Sequence, residues 1–209
     1  FIDGKPILYI GGSETKKLME EGYLNGDYFA LDGGSTDHIA LVASFDDQLV
    51  KNIDSGKYGA VIFMGSGSNS HHGFSHALTF IESISKKTNV YYVEAHWVGL
   101  TDEYVGGQAT NNQMKSEVQQ INQAIGGSRF VKKVLKMYKV AETWQSEYRS
   151  GKSAKLGYSE AHESNHYQPA GFWELIQMMD KEFALSKTKG NSTSKGAGLY
   201  RLVNFVNNL

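Results

Sequence analysis

The chain has 209 residues, with 21 Lys and Arg against 22 Asp and Glu and a formal net charge of -1. That balance, without a long basic run, argues against nucleic acid as the main partner, because phosphate binding needs clustered cations. There is no cysteine, which excludes disulfides, thiolate metal sites and a cysteine nucleophile. Hydrophobic residues at 40% and charged residues at 21% are ordinary for a globular protein. No apolar run reaches the roughly 18 residues needed to cross a bilayer, so no transmembrane segment is expected.

The length suits one domain over residues 1–209. The chain opens on Phe1 rather than Met, which suggests a removed leader or a trimmed start. The expected location is outside the cell or at its surface, with the cytoplasm as the alternative. The sequence leaves the oligomeric state open.

In chain order, the first apolar run is Ile7-Leu-Tyr-Ile10, stopped by Gly11-Gly12. Short unbroken runs rich in β-branched and aromatic residues suit parallel strands covered on both faces. Tyr28 to Leu31, ended by Asp32-Gly-Gly34, is a weaker strand candidate. Ala60-Val-Ile-Phe-Met64, ended by Gly65-Ser-Gly67, is the strongest, and Val90-Tyr-Tyr-Val93 follows. A further strand is expected at Phe130-Val131 or over Leu135 to Tyr138.

Helical stripes lie between these runs. They are expected over 14–21, 39–53, 74–85, 112–125 and 172–185, the last with Trp173, Leu175, Ile176, Met179 and Phe183 on one side. Alternating strand and helix implies an α/β domain with a mostly parallel sheet. The polar stretch 186–198 is expected to be a flexible loop, and 199–209 an apolar C-terminal segment that packs back on the domain or on a partner.

In an open parallel sheet, sites form beyond the carboxyl ends of the strands. Three of those ends here carry small and polar residues: Gly11-Gly-Ser13-Glu-Thr15, Asp32-Gly-Gly-Ser-Thr36 and Gly65-Ser-Gly-Ser-Asn69. Near the other end of the chain stands Glu163-Ser-Asn-His166, an acid and a histidine three residues apart. A carboxylate, an imidazole and a serine together make a nucleophilic triad, and Ser13 is the natural third member. A serine before a helix equally suits an N-cap. Asn69 and Gly34 are candidates for an oxyanion hole, which needs an amide and backbone N–H groups near the attacked carbonyl; both residue types are also ordinary in turns.

The ordered set resembles the SGNH/GDSL hydrolases, across roughly residues 5–185. Ile10-Gly-Gly-Ser13 is similar to the first family block, Gly33-Gly34-Ser35-Thr36 to the second, Gly67-Ser68-Asn69 to the third, and Glu163-x-x-His166 followed by Pro169 and Gly171 to the fifth. The resemblance implies a three-layer sandwich with a flavodoxin-like sheet and a serine esterase without cofactor or metal. It implies Ser13 as nucleophile, His166 as base and then acid, and Glu163 as the residue that orients His166. It also implies an oxyanion hole from the Ser13 and Gly34 N–H groups and the Asn69 amide.

The chain departs from the family in three places. Gly12 replaces the aspartate of the first block, Ser70 stands where the third usually ends in Asp, and Glu163 replaces the triad aspartate. His71, which follows Asn69 closely, and Trp97, beyond a strand end with Glu94, are candidate substrate contacts. His72 and His76, four apart, invite a metal reading, but neither a His-Glu-x-x-His motif nor a nearby carboxylate accompanies them, and no metal is expected. The expected substrate is a small acyl ester, acetyl on a carbohydrate first. Acyl transfer, or a non-catalytic module that binds a glycan or protein in the same cleft, are the alternatives.

Overall fold

The computed structural model describes residues 1–68, 70–97, 111–152, 155–158 and 165–185. Five strands form one parallel sheet: β1 (Ile7–Gly11), β2 (Asp27–Ala30), β3 (Ala60–Met64), β4 (Asn89–Val93) and β5 (Lys133–Leu135), in the order β2-β1-β3-β4-β5. This is the flavodoxin-like order, in which the winding direction reverses between β1 and β3. The crevice beyond the carboxyl ends of those two strands is therefore open to a ligand.

The strands are buried on both faces because their side chains alternate between two cores. Ile7, Tyr9, Ile62, Met64, Tyr91 and Val93 pack with α1 (Ser13–Glu20), α6 (Met137–Arg149) and α7 (Pro169–Phe183). Leu8, Ile10, Val61, Phe63, Val90 and Tyr92 pack with α2 (Thr36–Ser44), α3 (Asp47–Asp54), α4 (Ser75–Ser85) and α5 (Asn111–Gly126). The result is three layers, helix on sheet on helix. The reversal at β1 explains it: the crossover through α1 runs one way along the sheet and the later crossovers run the other. A constant right-handed connection then puts them on opposite faces.

The apolar runs fall where the sequence puts them, with four differences. The expected helix over 39–53 is two helices. The Asp46 carboxylate accepts the Leu49 N–H at 2.9 Å and starts α3 afresh, and Phe45 at the break is exposed. The fifth strand is neither at 130–131 nor over 135–138 but at Lys133–Leu135. A helix unforeseen from the sequence, α6, begins two residues later, capped by the Glu94 carboxylate, which accepts the Tyr138 N–H at 3.2 Å and pairs with Lys136 at 3.0 Å. A two-stranded antiparallel ribbon, β6 (Leu156–Tyr158) and β7 (Asn165–Tyr167), lies apart from the main sheet. The expected loop over 186–198 and the segment 199–209 lie outside the described residues. Among the described residues no helix is long and apolar enough to cross a membrane.

Candidate active site

Ser13 opens α1 directly after β1. Gly12 occupies the N-cap position in extended conformation, and no side chain caps the helix. Ser13 is thus not the cap. Its hydroxyl instead lies 3.3 Å from His166 Nε2, between residues 153 positions apart in sequence. The uncapped first turn leaves backbone N–H groups and the positive end of the helix beside that hydroxyl, a setting that favours a developing negative charge.

His166 sits in the middle of β7. The ribbon's own ladder continues past its strands, and its end packs against α7. The Gln168 N–H donates to the Lys155 carbonyl at 2.9 Å, and Gly171 in the first turn of α7 lies so close to that same carbonyl that any Cβ would collide with it. Tyr167, next to His166, is buried among Phe172 and Trp144, with its ring edge-on to both. Its N–H donates to Glu14 Oε1 at 3.0 Å and its hydroxyl meets His96 Nδ1 at 3.0 Å. Burial holds the Tyr167 phenol well above its usual range, with nearby Glu14 adding to the rise, so the hydroxyl stays protonated.

A cavity of about 50 Å³ opens at this point, at the reversal between β1 and β3. Its lining includes Ser13, Glu14, Ser66, Gly67, Trp97 and His166. The loop after β3 is pinned by Thr36, whose hydroxyl donates to the Ser66 carbonyl at 3.0 Å and accepts the Ser66 N–H at 2.9 Å. Gly67 is obligatory because a Cβ there would strike the His96 carbonyl. The loop after β4, which carries His96 and Trp97, is held by the buried Asn122 amide. Asn122 accepts from the Ala95 N–H and the Tyr92 hydroxyl and donates to the Ala95 carbonyl, each at 2.8 Å.

The other expected site residues divide. Trp97 lines the cavity. Asn69 and Glu163 lie outside the described residues. Gly34 is not among the residues that line the cavity; its N–H donates to the Leu31 carbonyl at 3.3 Å, and a Cβ would press on Leu31 and Ile39. That close packing favours glycine at this position. His71 does not line the cavity either; it is exposed, and its ring lies against His72 at 4.3 Å. Glu94 lines the cavity, but both of its carboxylate oxygens are committed to the start of α6. His76 pairs with the buried Asp37 at 2.6 Å, and Asp37 also accepts the Ala77 N–H at the start of α4. Among the described residues no three His, Asp or Glu side chains gather as metal ligands.

Glu14 and Tyr167 are the site residues the sequence did not disclose. The only hint was adjacency, each being the next residue after a triad candidate. Glu14 Oε2 is sealed from solvent without a hydrogen-bond partner among the described residues, and burial pushes the carboxyl up to about 8, against the opposing pull of the Tyr167 N–H and Lys17.

No protein-family model and no curated protein sequence matches the chain. Solved structures do. The C-terminal catalytic domain of peptidoglycan O-acetyltransferase A from Streptococcus pneumoniae, solved with a methylsulfonyl adduct, is similar at a TM-score of 0.55 and 10% identity, over 86% of this chain and 93% of that one. A protein of Slackia heliotrinireducens assigned to the SGNH hydrolases aligns at 0.52 and 14% identity, over 87% of this chain and all of the other, 100%. A GDSL-like lipase assignment from Parabacteroides merdae aligns at 0.50 and 7%, over 89% and 99%. With its 2-1-3-4-5 parallel sheet and a Ser–His contact beyond the first strand, the chain has the fold of the SGNH/GDSL hydrolases.

Proposed function

We propose that the protein is a serine esterase that cleaves small acyl esters through an acyl-enzyme. The observation that carries this is the 3.3 Å approach of the Ser13 hydroxyl to His166 Nε2 at the mouth of the cavity between β1 and β3. In this mechanism His166 takes the Ser13 proton at Nε2 as the oxygen attacks the ester carbonyl. The oxyanion forms against the uncapped N–H groups at the start of α1, where each well-placed donor is worth about a hundred-fold or more in rate. The proton then passes from His166 to the departing alcohol, and water repeats the sequence to free the acid. Glu163, three residues before His166, is the third member of the proposed triad, and Asn69 the proposed second oxyanion donor.

The cavity supports a small acyl group. A volume of about 50 Å³ beside Ser13 and His166 accommodates a group of a few heavy atoms. Trp97 at the wall gives an alcohol such as a sugar an apolar face to rest on. The likeness to an O-acetyltransferase domain favours a second reading, in which a sugar hydroxyl replaces water in the second half of the reaction.

Wild-type protein should turn over p-nitrophenyl acetate and take up a fluorophosphonate probe on Ser13. Ser13→Ala should lose the label and about a thousand-fold or more of the turnover. A wild type as inert as Ser13→Ala, with Ser13 unlabelled, would remove the catalytic reading. Repeating the assay with an oligosaccharide acceptor separates the two fates of the acyl group: transfer gives acylated sugar, hydrolysis gives free acid.

A further inference from the structure

Glu14 follows Ser13 directly and has no part in the acyl chemistry just described. Its carboxyl nevertheless lies at the junction of the two elements that chemistry needs. Oε1 accepts the Tyr167 N–H at 3.0 Å, and Glu14, Ser13, His166 and Tyr167 line the same cavity. Oε2 is buried with no hydrogen-bond partner among the described residues. A carboxyl with one oxygen sealed and unpaired is a poor choice for packing alone, because an apolar side chain of similar size would avoid the desolvation.

The ribbon topology gives this bond its importance. β6 and β7 pair with each other and with no strand of the five-stranded sheet. The ladder that fixes Ser13 at the end of β1 therefore does not fix His166. The bonds that join the ribbon to α1 include the Ser13–His166 contact itself and the one from Tyr167 to Glu14.

We infer that Glu14 is a positioning residue: its side chain ties the start of α1 to the strand carrying His166 and so holds the imidazole over the Ser13 hydroxyl. Gly12, at the place where the family's first block has an aspartate, offers no side chain to order this turn; Glu14 does so from the other side of Ser13. The raised value of about 8 fits the role. A neutral carboxyl keeps the carbonyl oxygen that Tyr167 needs. It also places no full negative charge beside the N–H groups that an oxyanion would use.

The inference rests on the serine-esterase reading, and the experiment separates the two. Full-length wild type, Glu14→Gln and Glu14→Leu are compared for kcat and KM on p-nitrophenyl acetate, for the rate of fluorophosphonate labelling, and for the ¹⁵N signals of the His166 ring. Glutamine keeps the acceptor, so kcat and labelling should stay within about two-fold of wild type. Leucine removes it, and kcat and labelling should fall about ten- to a hundred-fold, with KM little changed, as expected when a reacting group is misplaced by a fraction of an ångström to one ångström. The His166 ring signals should move in Glu14→Leu and not in Glu14→Gln. Where leucine prevents folding, the more adaptable Glu14→Met serves in its place. A folded leucine or methionine variant with wild-type kcat and unmoved ring signals overturns the inference, as does a glutamine variant that loses as much as leucine. A wild type that takes no label overturns the esterase reading instead. The ring signals then still decide whether Glu14 positions His166.

Discussion

Glu14 shows how one side chain can couple folding to pH. An ordinary glutamate near 4.5 is raised to about 8 here, chiefly by burial, with Glu21 adding to the rise and the Tyr167 N–H and Lys17 opposing it. The folded chain then holds this proton more tightly than the unfolded one. The contribution is fully present below about 4.5 and is lost as pH rises to about 8, at up to about 1.4 kcal/mol per pH unit. Glutamine cannot ionise, so Glu14→Gln should be progressively more stable than wild type between pH 5 and pH 8. Urea unfolding at several pH values checks this. Parallel stability curves for the two proteins would mean that Glu14 ionises in the fold as freely as it does in the unfolded chain.

At the scale of elements, Asn122 does for the β4 loop what Glu14 does for the ribbon. It lies on α5, reaches across to β4, and satisfies the Ala95 N–H, the Ala95 carbonyl and the Tyr92 hydroxyl together. Asn122→Ala strands three buried polar groups, and the loss should be about 3 kcal/mol or more. His96 and Trp97 follow Ala95 directly, so the same variant should loosen the cavity wall and raise KM for the ester. Denaturant unfolding together with steady-state kinetics reads both effects. What could be read from the sequence follows the same division. Ile7 to Ile10, Ala60 to Met64 and Val90 to Val93 were legible because each is an unbroken apolar run closed by glycine or flanked by polar residues. α6 was not, because its stripe of Met137, Tyr138, Ala141 and Trp144 begins beside Leu135 with neither glycine nor proline to divide helix from strand. The ribbon strand Asn165–Tyr167 is too short and polar to show any period. Ser13 and His166 were legible as residue types at a suggestive place. Glu14 was hidden because an acid in the first turn of a helix is what the helix dipole favours anyway. Asn122 was hidden because an amide on an amphipathic helix looks like part of its solvent face.

For the whole molecule, the sheet separates two cores of unequal functional weight. The face with α1, α6 and α7 carries both partners of the Ser13–His166 contact, while α2 to α5 on the other face support the sheet from behind. Phe172 is fully buried on the first face, with Tyr167 edge-on at 5.6 Å, Tyr23 at 5.1 Å and the Lys17 ammonium at 5.7 Å. It therefore wedges between α1 and the residue beside His166. Ile81 is equally buried on the second face, in α4. Truncating either side chain to alanine leaves a cavity that costs about 2–5 kcal/mol. In a chain of this size each kcal/mol lowers the melting temperature by roughly 2–4 °C. The two variants should thus melt at similarly lowered temperatures and yet differ in chemistry. At a temperature well below either transition, Ile81→Ala should label with fluorophosphonate at the wild-type rate, and Phe172→Ala several-fold more slowly. Because the two sites share no contact, the double variant should combine their stability losses nearly additively while keeping the labelling rate of Phe172→Ala. Equal slowing by both single variants would show that the sheet transmits core packing to the site from either side, and that the division into a supporting face and a site-bearing face does not hold.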